Sequence, residues 1–103
     1  MRKTDLIECG MRPIHPGEIL RDELAELGLS ARAFAGALDI PVNRVTQILR
    51  EQRGVSADTA LRLARYFGTS PEFWMDLQSD FELRRARQEV GSAIAQAVRP
   101  RAA

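Results

Sequence analysis

A chain of 103 residues that carries one cysteine and one histidine has little from which to build a covalent framework or an acid–base centre. Cys9 cannot close an internal disulfide, which agrees with a reducing compartment. It stands near His15, Asp5 and Glu8, but the spacing matches no zinc pattern, so no metal ion or other cofactor is expected. His15 is read more simply as a cap at a helix start. No Ser, His and Asp trio, glycine-rich phosphate cradle or carboxylate pair with a companion base is present, and the chain is not read as an enzyme. No apolar run approaches the roughly 20 residues that cross a bilayer. The opening MRKTDLIECGMRP also lacks the apolar centre of a signal peptide, so the expected place is the cytoplasm, away from the membrane. Alternating apolar residues, the mark of a strand, are missing throughout, and there is no internal repeat. A net charge of only +1 leaves a nucleic-acid partner open, to be judged from where the charges lie.

What is there, at 45% hydrophobic and 28% charged residues, suits one helical domain with a modest core. The most informative stretch is Ser30 to Arg53, which reads as two short helices joined by a tight turn. Ser30 is a good N-cap, and Phe34, Ala35 and Leu38 share one helical face. Asp39 tolerates the left-handed backbone that ends such a helix, and Pro41 suits the first turn of the next. In that second helix Val42, Val45, Ile48 and Leu49 form an inward stripe. Asn43, Arg44, Thr46, Gln47 and Arg50 are left facing outward. A helix entering the major groove by its N-terminal end would read bases with Asn43 and Gln47 on adenine and with Thr46 or Val42 on a thymine methyl. Arg32, Arg44, Arg50 and Arg53 suit phosphates, which position a protein without carrying sequence information. The alternative is a helical bundle whose polar face is merely solvated.

On either side the chain punctuates itself clearly. Residues 1–13 read as an irregular N-terminal arm. Pro16 then opens a helix to Leu27 with Leu20, Leu24 and Leu27 on one face, Ile14 stapling onto Ile19, and Gly28 as the stop. Ser56 starts the next helix, with Ala57, Ala60, Leu61, Ala64 and Phe67 as its core face, Leu63 on the flank and Gly68 at its end. The junctions Gly28-Leu29-Ser30 and Gly68-Thr69-Ser70 are built alike. Beyond Ser70 lies a helix bearing Phe73, Trp74, Leu77 and Phe81, which is either core or the surface where two copies meet. Residues 14–83 are thus taken as the domain. Residues 84–103, with a weaker stripe of Val90, Ala93, Ile94, Ala97 and Val98 interrupted by Gly91-Ser92, form either a separate terminal helix or a fraying tail. Pairing has a physical motive: a two-fold dimer reads two half-sites about 34 Å apart on one face of a palindromic operator.

The lead-in MRPIHPGEIL, the unit containing Ala35, Leu38, Ile40, Val45 and Ile48, and the run GVSADTALRLARYFGTSPEFWMDLQ together resemble the lambda-repressor-like helix-turn-helix family. More narrowly they resemble the HigA antitoxins, also called virulence-associated protein I. The resemblance spans about Met11 to Arg87, and its most specific part is Phe67 to Trp74. It implies an all-α, five-helix DNA-binding homodimer that represses its own operon and neutralises HigB, a small nuclease toxin that cuts messenger RNA. The family commonly has glycine where this chain has Asp39 and serine where it has Pro41, so a capping hydroxyl contact to phosphate is not carried over. A stand-alone transcription regulator without a toxin is the alternative function. Candidate surfaces for a toxin are the arm and the acidic first helix, with Glu18, Asp22, Glu23 and Glu26, although that face is also what solvent alone would produce.

Overall fold

The computed structural model describes residues 12–102, so Cys9 and most of the expected arm lie outside the described residues. Five α-helices follow one another: α1 Pro16–Leu27, α2 Ala31–Leu38, α3 Val42–Leu49, α4 Ala57–Phe67 and α5 Pro71–Ala97. No strand occurs among the described residues.

Local chemistry accounts for where the helices begin. Ser30, Ser56 and Ser70 each accept a hydrogen bond from the amide three residues on, at 3.1, 3.3 and 3.1 Å, which satisfies one of the amides a helix start leaves open. His15 does the same for α1, its Nδ1 accepting from the Gly17 amide at 2.9 Å. The stops are equally regular. Gly28, Asp39 and Gly68 cap α1, α2 and α4 in the left-handed region at φ 66°, 57° and 71°. In each case the next residue's amide reaches back to a carbonyl of the last turn: Leu29 to Leu24, Ile40 to Ala35, Thr69 to Ala64. The two glycine junctions are indeed built alike. A fourth instance follows α3, where Glu51 takes φ 60° and Gln52 returns to Gln47 at 2.8 Å. A glutamate in that conformation costs about 1–2 kcal/mol, so tertiary contacts must hold it there.

Packing converges on Phe34, which is almost fully buried. Tyr66 meets it edge-on at 5.5 Å and Phe67 at 5.8 Å, and Phe67 passes the contact to Trp74 at 5.7 Å. Trp74 is 2% and Leu77 3% exposed within the single chain, and the indole N–H of Trp74 donates to the Thr69 hydroxyl at 2.9 Å. These two residues therefore belong to the core and leave no surface for a second copy. Phe73 and Phe81 are only half-buried. Ile14 and Ile19 both join the core across the start of α1. At Gly17 the approach of α1 to α3 is so close that a Cβ would lie 2.0 Å from the Ile48 carbonyl oxygen.

The structure corrects the sequence reading at α4 and at the C-terminal segment. The buried face of α4 is Thr59, Ala60, Leu63 and Ala64, whereas Leu61 is 60% exposed and Ala57 lies outside. Thr59 sits in the core with its hydroxyl matched by Ser56 at 3.2 Å, and Thr59 and Leu63 take the buried places expected for Ala57 and Leu61, while Ala60, Ala64 and Phe67 stay on the core side. The C-terminal segment is helical, as one of the two expectations had it, but not a separate helix, and of its described residues only 98–102 carry no regular element. It continues α5 without a break to Ala97. The pairs Asp80–Arg84 and Arg85–Glu89, four residues apart at 2.7 and 3.1 Å, support that continuation. Gly91 is accommodated with a helical backbone.

Candidate nucleic-acid interface

α3 owes its position to its neighbours. Val45 and Ile48 bury its inner face, and its principal packing partners are α2 and α1. Pro41 is its N-cap and supplies no side-chain bond, in keeping with the absence of a capping hydroxyl. Its C-terminal end is closed from α1: the Arg21 guanidinium donates to the Leu49 carbonyl and pairs with Glu51 at 3.0 Å. A cation placed on the last carbonyls of a helix also complements the helix dipole.

Of the residues expected to read bases, Asn43 is exposed and Gln47 and Thr46 are half-buried along the outer side of α3. The Thr46 hydroxyl is turned back onto the Asn43 carbonyl at 3.1 Å. Val42 is half-buried and packs on the core, so it belongs chiefly to the inward stripe. Of the four arginines, the fold brings Arg44 and Arg53 together. Both line a cleft of about 250 Å³ with Gly54, Ser56, Asp58 and Thr59, at the start of α4. Arg32 on α2 and Arg50 at the end of α3 are exposed and stand apart from that cleft.

Arg44 does not point freely into solvent. Its guanidinium donates to Asp58 Oδ1 at 3.0 Å, and the same oxygen accepts from Arg62 Nε at 2.8 Å. Arg62 also donates through Nη1 to the Leu38 and Asp39 carbonyls at 2.9 and 3.0 Å. Its bond to Arg62 holds the Asp58 carboxyl below the usual carboxylate range, and the same bond raises the Arg62 guanidinium. Sequence reasoning missed this cluster, although an acid four residues before an arginine on one helix is a readable pair. It also missed Gln78, a buried side chain of α5 whose Oε1 accepts from the Val55 amide at 2.8 Å and whose amide lies against Gly54. Nothing local in the sequence marks a glutamine as the anchor of a loop 23 residues away.

His15 anchors the same loop from the other side. Its ring meets Phe81 edge-on at 4.9 Å, and it lines a hollow with Arg53, Gly54 and Gln78. Burial pushes its pKa below the ordinary value. The ring is thereby committed to structure. Among the described residues no cluster of histidine, cysteine or carboxylates could hold a metal ion, and no described helix is long and apolar enough to cross a membrane. On α1, Glu18 is drawn into a pair with Arg12 at 2.9 Å, which lowers its pKa, while Asp22 and Glu26 remain exposed beside Leu27.

Comparisons with known proteins match this geometry. Residues 20–74 fit the helix-turn-helix family model. Over 80 residues the chain is 52% identical to virulence-associated protein I of Dichelobacter nodosus, covering 77% of this chain and 74% of that one. An addiction module antidote protein of a HigA family from Coxiella burnetii superposes with a TM-score of 0.84 at 52% identity, over 88% of this chain and 100% of its own. The Pseudomonas aeruginosa antitoxin HigA, solved with the higBA promoter, superposes with a TM-score of 0.83 at 53% identity, over 86% of this chain and 98% of its own.

Proposed function

This chain belongs to the helix-turn-helix family that includes the HigA antitoxins and virulence-associated protein I, and from that premise we propose that it is an operator-binding antitoxin. It binds a palindromic operator as a homodimer, represses its own operon and neutralises a HigB-like toxin that cleaves messenger RNA. The observation that carries the DNA half of this reading is α3, whose outer side bears Asn43, Thr46 and Gln47 and whose Arg44 lines a cleft with Arg53. Amide side chains such as Asn43 in the first turn of such a helix and Gln47 one turn further on suit the adenine edge, and arginines beside it suit phosphates. A relative at 53% identity was solved on a promoter, which supports the same assignment here.

Pairing is assigned to α5. From its middle onward it presents Leu83, Val90 and Ile94 to solvent, and the half-buried Phe73 and Phe81 lie on the same helix. The exposed acidic side of α1 around Asp22 and Glu26 is one candidate surface for the toxin, alongside the N-terminal arm, and suits a partner of positive charge.

The toxin half is tested by expressing the open reading frame next to this gene, alone and together with the chain. Growth arrest relieved by co-expression, with both proteins eluting as one complex, is the expected result. A neighbour that is harmless, or that never elutes with the chain, would favour a stand-alone regulator.

A further inference from the structure

Pro41 leaves the start of α3 without a side-chain cap, and the α2–α3 turn passes through Asp39 in a left-handed conformation that glycine would adopt more easily. Beyond the return bond from Ile40 to Ala35, the turn is braced by contacts from outside it. These come from α4, where the three bonds of Arg62 to Leu38, Asp39 and Asp58 fix a planar guanidinium against the carbonyls ending α2. Asp58 then carries the restraint across to α3, since one carboxylate oxygen receives both Arg62 and Arg44. Neither Arg62 nor Asp58 bonds a residue assigned to bases, and of the arginines assigned to phosphates Asp58 bonds Arg44.

We propose that Asp58 and Arg62 are positioning residues for operator recognition: together they set the angle of the α2–α3 turn and the aim of Arg44, and thereby the discrimination between operator and unrelated DNA. The proposal rests on the reading of α3 as the base-reading helix. A lysine cannot replace Arg62, because an ammonium lacks the planar fork that bonds two carbonyls and a carboxylate at once. Exposed ion pairs contribute little to stability, so the consequence of losing this one is chiefly geometric. Asp58 also places a negative charge in the cleft that Arg44 and Arg53 line. Removing that charge frees Arg44 for phosphate and favours all DNA alike.

The test measures, by fluorescence anisotropy at several salt concentrations, the ratio of affinities for the chain's own promoter DNA and for a scrambled duplex of equal length. Wild type, Arg62→Lys, Asp58→Asn and the double variant Asn43→Ala, Gln47→Ala are compared, with thermal melts alongside. Because both DNAs are titrated with the same preparation, the ratio is unaffected by any inactive fraction. The expected result is a ratio lowered roughly three- to thirtyfold in Arg62→Lys and in Asp58→Asn, with nearly unchanged melting temperatures. Asp58→Asn should in addition bind scrambled DNA more tightly, with a salt slope steeper by about one. Ratios within twofold of wild type for both variants, while the double variant loses discrimination, would overturn the positioning role alone. If the double variant also keeps its ratio, the base-reading assignment falls and the positioning role falls with it.

Discussion

His15 shows how much one side chain can hold. Its Nδ1 caps α1, its ring lies on Phe81 of α5 and it lines a hollow with Arg53, and the acceptor at Nδ1 requires a neutral ring. Burial favours that neutral form in the folded chain, whereas the unfolded chain takes up its proton near pH 6.5. The contribution is therefore fully present above about pH 6.5 and is lost as pH falls below it, because the unfolded chain then binds the proton first. Melting temperature should drop between pH 7 and 5, and in His15→Asn, which keeps a cap acceptor without a titrating group, that drop should flatten. Gln78 makes the opposite demand at the same loop. Gln78→Leu would leave the buried Val55 amide without its acceptor, and urea unfolding should show a loss of about 1–3 kcal/mol. The cap at His15 could be read from sequence, since it depends on neighbours. The Asp58–Arg62 pair, four residues apart on one helix, was equally readable, but Gln78 and the reach of that pair to Arg44 and Leu38 were not, since those partners lie 14 to 24 residues away in other parts of the fold.

At the scale of elements, starts and stops were legible because serine, glycine, aspartate and proline act on the backbone within a turn of themselves. The facing of α4 was not, because Thr59 counts as polar until Ser56 is seen to match its hydroxyl. The length of α5 escaped for a related reason: Gly91-Ser92 reads as a break, while the side-chain pairs that carry the helix through the preceding turns are individually weak. The contact of α1 with α3 is a further consequence of element packing. Gly17→Ala would place a methyl group into the Ile48 carbonyl and force the two helices apart. Overpacking of this kind costs about 1–3 kcal/mol, and the shifted α3 should bind promoter DNA more weakly than the loss of folded protein alone explains.

For the whole molecule, the 27 residues of α5 give it its long dimension, with overall extents of 53 × 29 × 23 Å. A helix of that length, exposing Leu83, Val90 and Ile94 from its middle onward, can join two copies and hold their α3 helices at a fixed separation. The double variant Val90→Asp, Ile94→Asp should be monomeric by analytical ultracentrifugation and should bind the full operator roughly a hundredfold or more weakly, because the second half-site no longer benefits from the first. Its affinity for a single half-site should stay close to that of the wild type. An intact dimer in this variant would move the pairing surface elsewhere on the chain.

The central claim, that α3 reads an operator through Asn43 and Gln47, is tested most directly by titrating promoter and scrambled DNA at about 150 mM salt with wild type and with Asn43→Ala, Gln47→Ala. Each lost amide pair with adenine removes about 1–3 kcal/mol of discrimination, so the promoter should lose its advantage by roughly a hundredfold while binding to scrambled DNA barely changes. Equal promoter affinity in the two proteins would contradict the claim.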